Sequence, residues 1–324
     1  MSERVPQHVV VLAGGISHER DISLRSGQLI ADSLASQGIT VEVRDPDAHL
    51  LAYLAERQPD AVWPALHGAS GEDGSLRNLL DLAGVHYVGA RGAAARLAWD
   101  KPAAKSLVAG VGLATPSSLT LSRDTFRDLG AANVLELIAD SFGGPLVVKP
   151  TQGGSAQGVS LVDDPHSHLA AAMVNAYRYW DVALVERKVV GVEVSVCVID
   201  TGGGPVALPA VEIEPRSGVY SFEARYNAGE TRFYTPARIP DAVASAAADA
   251  AISAHTALGL RHLSRIDFII DAGGTPWFLE ASVMPGLTET SLFPEALDAA
   301  GHDVGWVFLA LCEAAAREPL MGRN

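Results

Sequence analysis

The stretch "SRIDFIIDAGGTPWFLEAS" occupies residues 264–282. Two apolar runs flank a Gly-rich turn, which is the pattern of an antiparallel hairpin. Side chains two apart on a strand share a face, so Arg265 goes with Asp267 and Glu280 with Ser282. The tight turn sets Asp267 and Glu280 opposite one another. Two facing carboxylates repel unless a cation lies between them. The Arg-Asp-Glu trio is therefore either a structural salt bridge or a site for an anion and a metal. Mg²⁺ takes one or two carboxylates and completes its shell with phosphate oxygens and water. Downstream, Pro285-Gly286 breaks the strand.

Working outward, the last third is antiparallel. "VEVSVCVID-TGGG-PVALPAVEIE" is a second strand–turn–strand, and helices are expected over 242–258 and 304–317. The middle third opens with a helix over 93–109. Strands at 143–150, "VSLV" and 182–187 follow, with an alanine helix over 169–177. The first third alternates strand and helix: strands at 8–13, 40–45, 61–68 and 85–90, with helices over 22–37 and at "LLAYLAER". That alternation implies a parallel, doubly wound α/β sheet binding ligands at the carboxyl ends of its strands. The expected domains are 1–90, 91–186 and 187–324, an N-terminal α/β unit and two α+β units.

Bulk properties narrow the partners. A chain of 324 residues is long for one domain, and 48% hydrophobic content supports a real core. A net charge of −14 argues against nucleic acid or an anionic membrane as partner. An anionic ligand needs a local positive cluster, and the only lysines are Lys101, Lys105, Lys149 and Lys188. Cys197 and Cys312 stand far apart without a CxxC pair, which fits a reducing cytoplasm. The short apolar run near the N-terminus lacks the length of a signal peptide or a membrane span.

In "KPTQGGSAQG" (149–158), glycines let backbone N–H groups turn toward an anion beside Lys149. A plain Gly-rich hairpin is the alternative, and no Walker P-loop occurs. "GVGLATP" (110–116) lacks the third glycine of a dinucleotide fingerprint and reads as helix stop and linker. "LVERKVVGVE" (184–193) offers Glu186 and Glu193 to a nucleoside, or merely to solvent. "GGISHERDIS" puts Glu19 at a helix start after the first strand, as ligand group or cap. "ALHGASGEDGS" (65–75) brings His67, Glu72 and Asp73 into a loop after the third strand. Neither HExxH nor GxSxG is present, so metalloprotease and serine hydrolase chemistry is unsupported.

In order, eight stretches resemble the ATP-grasp ligases, and within them the D-alanine–D-alanine ligases. They are "GGISHERDISLRSG", "ALHGASGEDGS", "LAWDKPAAK", "VVKPTQGGSAQG", "VERKVVGVE", "FEARYNAGETRFYTPA", "SRIDFI" and "LEASVMPGLTETSLFP", spanning about residues 8–315. The resemblance implies an ATP-grasp fold and ATP-dependent joining of two D-alanines in the cytoplasm, by a homodimer without nucleic-acid or membrane partners. It assigns Lys101 and Lys149 to ATP phosphates, with Arg187 and Arg225 beside them, and Glu186 and Glu193 to adenosine. Asp267, Glu280 and residue 282 would hold two Mg²⁺ ions. Glu19 would take the first ammonium, with His67 nearby, while Ser291 and the Leu292 backbone hold the second carboxylate. Arg265 and the Gly286 amide would stabilise the oxyanion. A Glu19–Ser155–Tyr226 contact would lock a lid over 220–235.

Five positions depart from the family pattern. Arg225 and Arg187 stand where relatives usually carry Lys, and Ala156-Gln157 replaces Ser-Val or Ser-Ile. Ser282 stands where a metal-binding Asn is usual. Arginine still meets a phosphate, with a fork in place of a point charge. Tyr226 is retained, which favours an amine acceptor over a hydroxy acid.

Overall fold

The computed structural model describes residues 5–227, 229–288 and 291–320. The first body runs β1 (His8–Leu12), α1 (Arg20–Ser36), β2 (Thr40–Arg44), α2 (Leu50–Arg57), β3 (Ala61–Pro64), α3 (Ala69–Glu72) and α4 (Ser75–Ala83). Its strands pair in parallel in the order β2-β1-β3. Helices cover both faces of β1, which explains a continuous apolar run with no alternation. Val9 and Val11 pack with Ile30 and Leu34 of α1, and Val10 and Leu12 with Leu50 and Leu54 of α2.

Residues 85–90 are not the strand expected of them. They meet β3 through one parallel bridge, Val62 to Tyr87. Gly89, at φ +101°, then turns the chain, and its N–H donates to Nδ1 of His262 at 2.9 Å. The helix expected over 93–109 is two, α5 (Gly92–Trp99) and α6 (Lys101–Gly110). Asp100 breaks it by accepting the Ala103 N–H at 3.0 Å, an N-cap followed by Pro102 in the first turn.

The second body contains β4 (Ser118–Ser122), α7 (Arg123–Asp128), α8 (Ala131–Phe142), β5 (Leu146–Pro150), β6 (Ser160–Val162), α9 (Pro165–Tyr177) and β7 (Val182–Arg187). Its antiparallel sheet runs β4-β7-β5-β6. The third contains β8 (Val192–Ile199), β9 (Val206–Ala207), β10 (Val211–Pro215), α10 (Phe222–Tyr226), β11 (Thr231–Tyr234), α11 (Asp241–Ala257), β12 (Leu263–Ile270), β13 (Pro276–Ser282), α12 (Leu292–Ala299) and α13 (Val304–Arg317). Its main path is β11-β10-β8-β12-β13, also antiparallel, with β9 on β8. The run expected as one strand over 205–214 splits into β9 and β10 around Pro209, which has no N–H to give a ladder.

Small side chains bring α11 close to this sheet: Ala247, Ala250, Ala251 and Ala254 pack on Val194, Val196, Phe268 and Phe278. The other face shares a core with the parallel sheet through α12 and α13, where Phe308 meets Trp63 edge-on, centroids 4.9 Å apart. Among the described residues, no helix is long and apolar enough to cross a membrane. One parallel and two antiparallel sheets, in this order, are the architecture the ATP-grasp resemblance implies.

Candidate active site

Two clefts of about 560 and 660 Å³ meet between the bodies. The first lies between the two antiparallel sheets and is lined by Lys149, Glu186, Arg187, Glu193, Asp267 and Glu280. The second lies at the carboxyl ends of the parallel strands and is lined by Glu19, His67, Glu72, Arg265, Ser282, Gly286, Ser291 and Leu292. Lys101, Arg225 and Glu280 line both. A group transferred from one cleft to the other passes these side chains.

The first cleft is built around buried charge. Glu186, at the end of β7, gives one carboxylate oxygen to Lys105 and the other to Lys149, each at 2.6 Å. Burial alone would neutralise all three groups. Burial lowers Lys105 below an ordinary lysine. At Lys149 the carboxylates of Glu186, Glu280 and Asp267 outweigh burial and keep the ammonium charged. Lys101 donates to the Gly153 carbonyl at 2.7 Å and faces Glu280 at 3.4 Å, so α6 and the loop after β5 present it to the cleft together. Arg225 lies over the Tyr220 ring at 4.0 Å, and its buried Nε has no partner among the described residues. Arg187, at the exposed end of β7, donates to the Phe142 carbonyl at 2.9 Å.

Asp267 and Glu280 pair across β12–β13 as the hairpin reading requires, with Arg265 opposite Ser282. Arg265 grips Asp267 with two hydrogen bonds of 2.8 Å, and Ser195 adds a third of 2.6 Å to Oδ1. Oδ1 thus takes two donors and Oδ2 one, leaving Oδ2 a free acceptor position. Burial would raise the Glu280 carboxyl, but Lys101, Lys149, Arg225 and Arg265 hold it at about 2. Two facing carboxyl groups with spare lone pairs beside a positive cluster fit Mg²⁺, which prefers such sparse protein ligation. Among the described residues no three His, Cys, Asp or Glu side chains form a closed cage.

In the second cleft, Ser23 on α1 accepts the Gly14 N–H at 2.9 Å and donates to the Ala65 carbonyl at 2.6 Å. This pins the ends of β1 and β3 around the start of α1. Glu19 precedes that helix and accepts a hydrogen bond from Ser155. It sits against Gly154, where a Cβ would come within 3.5 Å of the carboxylate. Ser155 and Ala156 both adopt left-handed backbone, at φ +51° and +57°. Two parts of the expected Glu19–Ser155–Tyr226 contact therefore meet; the Tyr226 side chain lies outside the described residues. Burial, with Arg265 nearby, lowers His67 to about 4, so its ring is neutral near pH 7. Gly286 faces Ser291 so closely that a Cβ would stand 2.9 Å from its Oγ. Ser291 and Leu292 begin α12 beside it, where backbone N–H groups favour an anion.

Burial raises the Glu193 carboxyl to about 7. A carboxyl raised in the fold stabilises it fully below the unfolded value of about 4.5. That contribution is lost as pH rises through about 7. Glu193→Gln should therefore match the parent's melting temperature near pH 4.5 and exceed it increasingly toward pH 7.5. Melting curves of both proteins across that range check the sign.

With this geometry in view, comparison with known proteins is decisive. Residues 107–311 match the family described as D-ala D-ala ligase C-terminus. A D-alanine–D-alanine ligase of an Anaeromyxobacter species is 41% identical over 97% of either chain. The chain belongs to the D-alanine–D-alanine ligase family. A Bacillus anthracis D-alanine–D-alanine ligase complexed with ATP shares the family fold, with a TM-score of 0.80, 24% identity and coverage of 96% and 98%. The VanG D-Ala:D-Ser ligase of Enterococcus faecalis does so at 0.81, 24% identity and 96% and 99%.

Two residues that hold the cleft carboxylates were given no role by the sequence. Lys105, one helical turn after Lys101, carries half of the Glu186 charge balance, and the scarcity of lysine was its only signal. Ser195 orients Asp267 from β8, a strand pairing that local pattern does not specify.

Proposed function

We propose that the protein joins two D-alanines at the expense of ATP, giving D-alanyl-D-alanine, ADP and phosphate for peptidoglycan precursors. The observation that carries this reading is the junction of the two clefts at Lys101, Arg225 and Glu280. A nucleotide in the first cleft sets its terminal phosphate at that junction, beside Lys101 and Lys149. Glu19 receives the first amino acid's ammonium, which turns its carboxylate toward the γ-phosphorus. The carboxylate oxygen bonds to phosphorus and ADP leaves. The second amino acid, its carboxylate at Ser291 and the Leu292 N–H, attacks the acyl phosphate carbonyl with its amine. Arg265 and the Gly286 N–H meet the oxyanion, and phosphate departs as the amide forms.

Asp267 and Glu280 would hold Mg²⁺, which neutralises phosphate charge when bound. Most of the rate comes from positioning and charge stabilisation. The Glu19–Ser155 bond closes one side of the cavity against water, to which an acyl phosphate is vulnerable. The same reading places the protein in the cytoplasm as a homodimer, which light scattering on the purified protein checks.

The test is phosphate release with ATP, Mg²⁺ and D-alanine, with the product identified by mass. We expect release that needs all three and a D-alanyl-D-alanine product. Release only with D-serine or another acceptor moves the assignment to a ligase of different acceptor. Nucleotide binding without turnover of any amino acid would instead indicate a regulator.

A further inference from the structure

Ser282 shares a strand face with Glu280, yet its hydroxyl serves another partner. Its Oγ donates to Oε2 of Glu72 at 3.2 Å, joining the end of β13 to α3 of the first body. The same Oγ accepts the Met284 N–H at 3.3 Å. Glu72 Oε1 in turn accepts the Gly68 N–H at 2.9 Å, so the carboxyl is held at both oxygens. Glu72 and Ser282 line the second cleft with Glu19 and Arg265, and neither lines the first, where Asp267 and Lys149 stand. Serine places its oxygen one bond from Cβ, and here its proton and one lone pair are already committed. Asp267 and Glu280 face Lys149 across the first cleft, which Ser282 does not line.

We propose that Ser282 is a positioning residue of the amino-acid cleft, fixing Glu72 and the turn that begins at Gly68, and is not a metal ligand. The proposal rests on the ligase reading for what occupies that cleft. A short hydroxyl suits this place because it donates to Glu72 and accepts the Met284 N–H at once.

Calorimetric titration of the full-length protein with Mn²⁺ and ADP, beside steady-state kinetics in D-alanine, tests it. For Ser282→Ala we expect Mn²⁺·ADP affinity within about twofold of the parent and a D-alanine KM raised about five- to tenfold, the scale of one ordinary hydrogen bond. Ser282→Thr, which keeps the hydroxyl, should restore KM. A Mn²⁺ affinity lowered more than about tenfold with KM unchanged overturns the proposal. Should Ser282→Ala fold poorly by thermal melting, Glu72→Gln supplies the second arm. It should raise KM without weakening Mn²⁺, and weakened Mn²⁺ counts against us. Parent protein that binds Mn²⁺·ADP but ignores D-alanine defeats the ligase reading alone, since the metal titrations still decide the role of Ser282.

Discussion

Arg265→Met is expected to lower turnover about 10²–10³-fold, the usual loss for one donor aimed at a developing oxyanion. Arg265 is placed for this by β12, opposite Ser282 and next to the first cleft's carboxylates. Its Nε and Nη2 are spent on Asp267, which leaves Nη1 and the second Nη2 proton to face the amino-acid cleft. Burial opposes its charge, but Asp267 more than compensates and fixes the guanidinium in the protonated state. The loss should fall on kcat at saturating substrate, because the interaction forms with the oxyanion and not with the bound carboxylate. Arg265→Lys keeps the charge but not the fork, so it should recover little of the rate. Stopped assays with ATP and D-alanine measure both variants, and near-parental kcat in Arg265→Met would refute the oxyanion role.

Glu186→Ala should have the largest effect on stability. It leaves the ammonium groups of Lys105 and Lys149 buried without their shared counter-ion. Removing one partner of a buried pair costs about 3–5 kcal/mol. For a chain of this size that corresponds to a fall of roughly 10 °C in melting temperature. Lys105 retains only the Pro116 carbonyl at 2.9 Å, whereas Lys149 still feels Glu280 and Asp267, so Lys105 is the more destabilised of the two. Glu186→Gln, whose amide oxygen still accepts one ammonium, should lose less. Differential scanning calorimetry ranks the three proteins, and an Ala variant as stable as the parent would show the triad to be dispensable.

Much of the site could be read along the chain because its residues cluster at strand ends, and strand registers follow from short turns. Asp267 and Glu280 are joined by a turn from Asp271 to Thr275, so local pattern alone placed them opposite each other. Glu72 and Ser282 are distant in sequence, and no periodicity could pair them. Residues 118–142 form β4, α7 and α8, half-solvated elements whose apolar side chains, Leu119, Leu121, Phe126, Val134 and Leu135, find their partners only once the second sheet forms. The break between α5 and α6 was legible in "DKP", a cap followed by proline, but the alanine-rich flanks read as one continuous helix. Residues 85–90 have the composition of a strand; what they lack is a partner along their length.

The contact of Phe308 with Trp63 has a bearing on how the molecule is made. The parallel sheet leaves the ribosome before both antiparallel sheets, but one of its faces is finished by α13, which follows them in the chain. Until α13 is made, a nascent chain covers that face only in part, with α1, and leaves Trp63 without Phe308 while both antiparallel sheets are still being synthesised. The earliest-made third is thus the last to be completed, and a message cut short upstream of α13 yields a chain that can shelter its own first strands only by borrowing from a neighbour or a chaperone.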